Sequence, residues 1–392
     1  MKKNIIITLL VSLIMLSGCS GKINNNSDNS NAQSNTFQIT DLGVCSNENT
    51  SLPVNARVPW DLIVVDGKIF VGIGDFDSNS GPTSIWTYDD TIKKWTASAS
   101  VDQEAIARFV NLNGQTIALG TDPIGDPEYA DCYVLQNGTW QTFASIKGAL
   151  HVFDAEVYKG STYYGLGAEN NTSVVVKQDL TTGTHTDIPL YKNGVDVIAA
   201  LEKTSNVKNT RVYDLFSVNG RLFCAFSCSF TTGKTTIEFF EFKNDKFEFC
   251  QAFKNANLKM NKTVKNQVLF NCDAVYDNSC FLSLGDLYKT DNFIKFDKID
   301  VPNNACVTDM YVEKVNGQET LYVLATVKED EEFKNVIFTL VDDKLTELFS
   351  FSSSASALSF VKCDNVFYVG LGDAESENAD NGRILKIEYC AE

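Results

Sequence analysis

The chain has 392 residues, and its 50 Asp+Glu against 33 Lys+Arg give a formal net charge of −17 at pH 7. Hydrophobic residues make up 44% of the chain and charged residues 21%, which is typical of a folded globular protein and excludes overall disorder. The acidic balance argues against a nucleic-acid ligand, because binding to a phosphate backbone needs clustered Lys and Arg. With only two His, the chain cannot form a three-His catalytic zinc site.

The N-terminus has the pattern of an export signal. Lys2 and Lys3 precede an apolar run from Ile5 to Leu16, which is too short for a stable membrane span but suits the hydrophobic region of a signal peptide. The run ends in Leu16-Ser17-Gly18-Cys19, which resembles the lipobox of bacterial lipoproteins. The alternative is an ordinary cleaved signal peptide followed by a chance Cys.

The lipobox resemblance implies a signal peptide over residues 1–18 and a mature protein that begins at Cys19, acylated for example with palmitate. We therefore expect a partner in the lipid bilayer, with the protein anchored through Cys19 on the outer side of a bacterial cytoplasmic membrane. Residues 19–36, rich in Asn and Ser, are predicted to form a flexible tether before a folded domain over residues 37–392. Because an acidic domain is repelled by anionic lipid, the acyl chains should provide the attachment.

The remaining ten Cys are predicted to be small buried hydrophobic residues, because most lie in apolar, strand-like runs such as Leu222-Phe223-Cys224. An exported protein can form disulfides, so their disulfide state stays open. No C-x-x-C pair is present, and neither a redox motif nor a zinc knuckle is indicated.

The folded domain reads as β-structure with a repeat of about fifty residues. Each copy has an apolar run, a two-residue turn and a second apolar run. The seven turns are Asp66-Gly67, Asn113-Gly114, Lys159-Gly160, Asn219-Gly220, Asp277-Asn278, Asn316-Gly317 and Asp364-Asn365. Their spacings of 47, 46, 60, 58, 39 and 48 residues predict an all-β, seven-bladed β-propeller of four-stranded blades. A short helix is predicted around Val195 to Glu202.

The first copy predicts all four strands of a blade, and the last copy predicts only three. The strands of the first blade are expected at 59–65, 68–74, 83–88 and 95–101, and those of the last at 357–363, 366–372 and 383–389. The segment Phe37 to Val44 alternates apolar and polar residues and has no other partner. We therefore expect it to complete blade seven and close the ring, which would hide an exposed strand edge.

Two copies carry a Tyr-x6-Trp pattern, at Tyr88 with Trp95 and at Tyr133 with Trp140. This pattern resembles the Tyr and Trp positions of kelch blades. Kelch blades carry a double Gly after the second strand, whereas here that place reads Gly72-Ile73-Gly74, Gly165-Leu166-Gly167 or Gly370-Leu371-Gly372. The chain is therefore kelch-like, and this resemblance implies a propeller fold. Because propellers occur both as binding platforms and as enzymes, the resemblance does not indicate which of the two functions the chain has.

One set of charged residues recurs near the start of the predicted inner strands, at Asp61, Arg108, Asp154, Asp214, Asp273 and Asp309, with Ser359 at the same place in blade seven. We expect them around the mouth of the central channel, where they are candidate ligand-binding residues. The alternative is architectural: each Asp accepts backbone N–H groups of its own or a neighbouring blade and so locks the ring.

A second set of carboxylates follows the second strands and should lie at the same face. It includes Asp122, Asp126 and Glu128, Asp286, and Asp373, Glu375 and Glu377. In blade one, Asp75, Asp77 and Asn79 have the spacing of oxygen ligands in a calcium loop, although the Gly and Glu positions of an EF-hand do not match. The candidate calcium ligands are Asp75, Asp77, Asn79, Asp373 and Glu375. Solvated turn residues are the alternative.

The most favoured function is therefore binding or scaffolding, with a glycan, peptide or partner protein recognised through the acidic face at the channel mouth. The alternative is a propeller glycoside hydrolase or lyase that uses two of the mouth carboxylates. The sialidase Asp-box, Ser-x-Asp-x-Gly-x-x-Trp, is absent from every copy, and no pair of carboxylates stands out as acid and nucleophile.

Overall fold

The structure is a computed structural model that describes residues 36–46, 52–75, 80–124, 129–168, 173–179, 182–252, 273–284, 286–373 and 378–390. The chain divides into two units, of which the first, residues 1–35, lies outside the described residues and the second is Thr36–Glu392. The predicted signal peptide and Cys19 lie outside the described residues. Within the described ranges, no helix has the length and apolar character needed to cross a membrane.

The second unit is an all-β, seven-bladed β-propeller, as the repeat predicts. From the inner to the outer strand, blade one contains β2–β5 (Pro59–Val65, Lys68–Ile73, Thr83–Asp89, Lys94–Val101), blade two β6–β9 (Gln103–Leu112, Gln115–Pro123, Tyr129–Gln136, Thr139–Lys147) and blade three β10–β13 (Ala149–Tyr158, Ser161–Ala168, Val175–Gln178, His185–Asp187). Blade four contains β16–β19 (Val207–Val218, Arg221–Phe230, Thr235–Lys243, Lys246–Ala252) and blade five β20–β23 (Asp273–Tyr276, Ser279–Ser283, Leu287–Thr290, Asp297–Ile299). Blade six contains β24–β27 (Cys306–Val315, Gln318–Glu329, Glu332–Val341, Lys344–Ser353) and blade seven β28–β30 (Ser356–Cys363, Val366–Gly372, Arg383–Cys390) with β1 (Thr36–Val44).

The N-terminal strand closes the ring, as predicted. β1 pairs antiparallel with β30 as the fourth strand of blade seven. Phe37 packs on Phe349 of blade six with ring centroids 4.5 Å apart, and the indole Nε1 of Trp95 donates to the carbonyl of Leu42 at 2.9 Å. β1 is therefore fixed by backbone pairing and by side chains of both neighbouring blades.

The predicted turns adopt the left-handed backbone conformation that tight hairpins need. In six of the seven, both turn residues have positive φ, for example 51° at Asp66 and 74° at Gly67. At Asp364-Asn365 only the first residue has a positive φ, of 52°. The face of the propeller that carries these seven turns is called the turn face below.

The Gly-x-Gly pattern at the end of the second strands permits close approach of the next blade. A Cβ on Gly72 would lie 2.6 Å from the carbonyl oxygen of Ile106, and a Cβ on Gly165 would lie 2.8 Å from that of Val212. Glycine at these positions therefore lets the backbone of the following inner strand pack against the preceding blade.

Blade four is larger than the repeat predicts. β14 (Leu190–Lys192) pairs in parallel with the outer strand β19 and antiparallel with β15 (Val195–Asp196). A short helix, α1 (Val197–Leu201), follows within the predicted range, and Asp196 caps it by accepting the N–H of Ala199 at 3.1 Å. The long spacing between the third and fourth turns is explained by this insertion.

Candidate functional site

The recurring charged residues of the inner strands occupy equivalent positions in the seven blades. These seven residues, named the ring positions here, are Asp61, Arg108, Asp154, Asp214, Asp273, Asp309 and Ser359. In six blades the register between inner and second strand shifts by one residue immediately before the ring position, for example between Pro59 and Asp61. A β-bulge of this kind redirects the following side chain.

Three of the ring aspartates connect their blade to the next one. Asp61 accepts the N–H of Phe109 in blade two at 2.6 Å, and Asp154 accepts that of Leu215 in blade four at 2.7 Å. Asp309 accepts the N–H of Phe360 in blade seven at 2.7 Å. In each pair the donor is the residue after the ring position of the next blade.

The second carboxylate oxygen of these aspartates binds within its own strand. Asp61 accepts the N–H of Leu62 at 2.8 Å, and Asp309 accepts that of Met310 at 2.7 Å. In blade seven the serine replaces the carboxylate: Ser359 donates its hydroxyl to the carbonyl of Pro59 at 2.7 Å and so links blade seven to blade one. These are the contacts that the architectural interpretation predicts.

Arg108 joins blade two to the three blades that follow. Its Nη1 lies 3.1 Å from Asp214, its Nη2 lies 3.1 Å from Asp273, and its Nε lies 3.6 Å from Asp154. Burial alone would lower the pKa of Arg108, but the three aspartates raise it well above its usual value. The guanidinium is therefore a permanent positive charge inside the ring.

The ring holds more carboxyl groups than Arg108 can neutralise. Burial raises the pKa of Asp61 to about 7 and that of Asp154 to about 6. The pKa values of Asp214 and Asp309 are also raised well above the usual range, mainly by burial and then by a neighbouring Asp. The folded ring therefore retains protons at pH values where an exposed Asp would have lost them.

Glu156 belongs to the same electrostatic cluster, and the sequence reasoning missed it. Burial raises its pKa to about 8, and the nearby Asp154 adds to the shift. Glu156 follows Asp154 by two residues in β10 and thus lies on the same side of the strand. This alternation was the sequence signal that could have identified it.

Several of the ring positions are buried, whereas the sequence analysis expected all of them around the mouth of the channel. Asp214 is in the middle of the twelve-residue strand β16, and Asp154, Asp214 and Asp309 have exposed fractions of 3%, 1% and 3%. The inner strands begin several residues earlier in blades two to four than the charged positions suggest. The side chains therefore point into contacts between blades.

The loops after the second strands lie at the face where the inner strands begin, and this face is called the second-strand face below. Asp75 is buried there and accepts a hydrogen bond from Ser80, and the backbone N–H of Asp373 donates to Asn381 at 2.7 Å. Three of the proposed calcium ligands, Asp77, Asn79 and Glu375, lie outside the described residues. Within the described ranges, no group of three or more His, Cys, Asp or Glu is placed to hold a metal ion.

A further acidic hairpin lies at the second-strand face of blade six. The last residue of β25, Glu329, the two turn residues Asp330 and Glu331, and the first residue of β26, Glu332, are all exposed. The sequence reasoning did not single out this run, although four consecutive carboxylates at a hairpin tip are a visible signal. Lys298 and Asp286, 3.0 Å apart, line a small cleft between blades five and six at the same face.

Near the channel on this face, four side chains of blades three and four form a stack. The rings of His151 and Phe153 are stacked with centroids 5.0 Å apart, and Tyr213 lies 4.7 Å from Phe153. The guanidinium of Arg211 lies 5.5 Å from the Phe153 ring, and its Nη1 donates to the Tyr213 hydroxyl at 3.2 Å. Burial, with a smaller effect of Arg211, lowers the pKa of His151 to about 3, so the imidazole is neutral at pH 7.

Five of the Cys in the described ranges, Cys45, Cys132, Cys224, Cys228 and Cys280, are buried and form no disulfide. Burial raises the pKa of Cys45 to about 12 and that of Cys228 to about 11, so these thiols are protonated at neutral pH. The prediction that they act as small hydrophobic residues is confirmed for those buried positions.

Comparisons with known proteins show the fold. No family model matches the chain, and no curated protein matches it. Among solved structures, a chain of the mitotic checkpoint complex is 10% identical with a TM-score of 0.52, over 95% of this chain and 100% of that one. The Trypanosoma rangeli sialidase in complex with sialic acid is 9% identical with a TM-score of 0.44, over 89% of this chain and 58% of that one. BamB from Moraxella catarrhalis is 8% identical with a TM-score of 0.36, over 85% and 84%. The similarity to the checkpoint-complex chain supports the propeller fold, and at 10% identity it indicates no particular activity.

Proposed function

We propose that the protein is a lipid-anchored binding module on the outer side of a bacterial cytoplasmic membrane, and that its second-strand face takes a cationic segment of a peptide or protein partner. The observation that carries the proposal is the contrast between two sets of carboxylates. Those at the ring positions are occupied by contacts between blades, whereas Glu329 to Glu332 of blade six are exposed. An exposed acidic rim on a rigid scaffold attracts positively charged partners and increases their association rate.

The hydrolase or lyase alternative has less support from the geometry. Glycoside hydrolysis needs two carboxyl groups that flank the sugar and reach it. Asp61 and Asp309 each use both carboxylate oxygens on backbone N–H groups, and Asp154 accepts Leu215 while it lies beside Arg108. An acid and a nucleophile at these positions would have to abandon contacts that hold the ring together.

The membrane anchor rests on the lipobox resemblance of Leu16-Ser17-Gly18-Cys19. Cys19→Ala should move the protein from the membrane fraction to the soluble exported fraction, because the tether and the acidic domain offer no other attachment. Membrane association of the Cys19→Ala protein after a high-salt wash would contradict the lipoprotein proposal.

The binding proposal can be tested with a matched pair of variants in blade six. Asp330→Asn with Glu331→Gln removes two charges from the second-strand face, and Asp342→Asn with Asp343→Asn removes two charges from a hairpin at the turn face. Asp330, Asp342 and Asp343 have positive φ values of 52°, 49° and 57°, which Asn also tolerates. The two variants therefore have the same net charge and differ in where it is removed, and the second also breaks the 2.6 Å ion pair of Asp343 with Lys289.

Isothermal titration with an oligolysine peptide at low and physiological salt is the measurement. We expect the first variant to bind at least threefold more weakly than the unmodified protein, and the second to bind like it. Equal losses in both variants would indicate nonspecific attraction to net charge and would overturn the proposal. Incubation with neutral oligosaccharides, followed by product analysis, tests the alternative, since turnover of any of them would favour a hydrolase or lyase.

A further inference from the structure

The chain contains five arginines, and all of them lie within the described residues. Arg108, Arg221 and Arg383 are paired with carboxylates, and Arg57 donates to the carbonyl of Leu52 at 3.0 Å. Arg211 has no carboxylate within ion-pair distance among the described residues. Among those residues, the one hydrogen bond of its guanidinium goes to the hydroxyl of Tyr213. A guanidinium offers five N–H donors, so most of the donors of Arg211 have no acceptor among the described residues.

Arg221 provides an internal reference for Arg211. Both belong to blade four, and both guanidinium groups lie over a phenylalanine ring, Arg221 at 4.7 Å from Phe223 and Arg211 at 5.5 Å from Phe153. Arg221 is held in a two-pronged pair by Glu241, with distances of 2.7 and 2.6 Å. Arg211 is half-buried and has the same aromatic support without the carboxylate. Within the part of the chain that the structure describes, Arg211 lacks this carboxylate partner, and a ligand could supply it.

The surroundings of Arg211 hold its guanidinium in a defined orientation. Arg211 pairs with Gly167 at the end of the second strand of blade three. A Cβ on Gly167 would lie 2.6 Å from Cδ2 of His151 and 3.0 Å from Cε2 of Phe153. Glycine at this position therefore leaves space for the two rings. His151 is itself 92% buried, and its Nδ1 has no hydrogen-bond partner, although it lies 3.4 Å from Asp122.

We propose that Arg211 is the anchor of a binding site for a carboxylate group, which would complete the two-pronged pair that Glu241 completes for Arg221. The planar fork of a guanidinium matches the two oxygens of a carboxylate. A singly charged group is favoured over a phosphate, because Asp122 lies close by and the neutral His151 adds no second positive charge. The site is independent of the acidic hairpin of blade six and does not rest on the proposed partner of that hairpin.

The Nε–Hε NMR signals of ¹⁵N-labelled protein provide a direct test, since the chain has only five arginines to assign. Titration with benzoate should shift the Arg211 signal and saturate, while the Arg221 signal, already paired with Glu241, should stay in place. Benzamide, which has the same shape without the charge, should leave both signals unchanged. Inorganic phosphate should bind at least tenfold more weakly than benzoate.

Variants separate charge from geometry. Arg211→Gln should weaken benzoate binding at least tenfold, Arg211→Lys should weaken it less because the charge remains, and Arg221→Gln should leave it unchanged. Ring-current-shifted methyl signals of the core report whether each variant is folded. An Arg211 signal that does not respond to benzoate, or that responds equally to benzamide, would overturn the proposal, as would tighter binding of phosphate than of benzoate.

Discussion

Asp309 of blade six accepts the backbone N–H of Phe360 in blade seven at 2.7 Å, although 51 residues separate the two in the chain. The same carboxylate accepts the N–H of Met310 at 2.7 Å through its other oxygen. Because Asp309 is 3% exposed, both N–H groups would lose a hydrogen bond to protein without gaining one to water if the carboxylate were absent.

Asp309→Asn should lower the free energy of unfolding by about 1–3 kcal/mol. The Asn amide has a single acceptor oxygen, so it can accept only one of the N–H groups of Met310 and Phe360 in this way, and its NH₂ group would face the second one. Asp66→Asn is the matched control: Asp66 is exposed at a turn with φ of 51°, which Asn adopts readily. Urea unfolding followed by tryptophan fluorescence measures both. Equal stabilities of the two variants would show that the contact between blades six and seven contributes little.

The raised carboxyl pKa values predict that the protein is more stable in mild acid than at alkaline pH. Between the unfolded pKa near 4 and the folded pKa of about 7 for Asp61 and about 8 for Glu156, the folded state binds more protons than the unfolded state. Stability contributed by these shifts is therefore present at low pH and is lost as the pH rises through the folded pKa values.

We expect the free energy of unfolding to fall by at least about 3 kcal/mol between pH 5 and pH 8. Each proton that the folded state holds and the unfolded state has lost lowers this free energy by about 1.4 kcal/mol for every unit of rise in pH. Urea denaturation at three or more pH values in this interval measures it. A stability that rises steadily over the same range would contradict the assignment of protons to the ring.

Removal of residues 37–44 should destabilise the propeller and promote aggregation. The deletion would expose the edge of β30, and it would remove the contact of Phe37 with Phe349 and the acceptor of Trp95. Deletion of part of the predicted tether over residues 19–36 is the control and should leave the melting temperature unchanged. Equal melting temperatures of the two deletion proteins would show that β1 contributes nothing to closure.

Calcium binding by the loops of blades one and seven stays a prediction, because several of the proposed ligands lie outside the described residues. At a hundredfold excess over Kd, calcium should stabilise the folded protein by about 2.7 kcal/mol and raise its melting temperature. Asp75→Asn with Asp77→Asn should remove the increase, and magnesium should reproduce it poorly. Identical melting in chelator and in millimolar calcium would exclude the site.

The fold was predictable because the turn residues, the length of the repeat and the alternation of apolar and polar residues all indicate a propeller. Turn residues that tolerate positive φ recur at the period of a blade, and Phe37 to Val44 has the alternation of the missing outer strand. The addition of β14 and β15 to blade four was not predictable, because such short segments carry no periodic signal of their own.

The sequence identified most of the residues of the site but not the direction in which their side chains point. The recurrence of Asp61, Asp154 and Asp309 identified equivalent positions, but a bulge before each redirects the side chain into a contact between blades. The position of a bulge depends on the pairing of two strands and is not visible in either strand alone. For the same reason the link from Arg108 to Asp273, 165 residues away, needed the structure.

The most direct test of the central claim, that the ring positions hold the propeller together, is the stability of Arg108→Leu as a function of pH. At pH 8 the variant should lose about 3–5 kcal/mol of unfolding free energy, because Asp154, Asp214 and Asp273 would stay buried without their cation. At pH 5 the loss should be smaller, because burial raises the pKa values of Asp154 and Asp214 and these two carboxyl groups are more readily protonated there. A loss of the same size at both pH values, or no loss at either, would contradict the account.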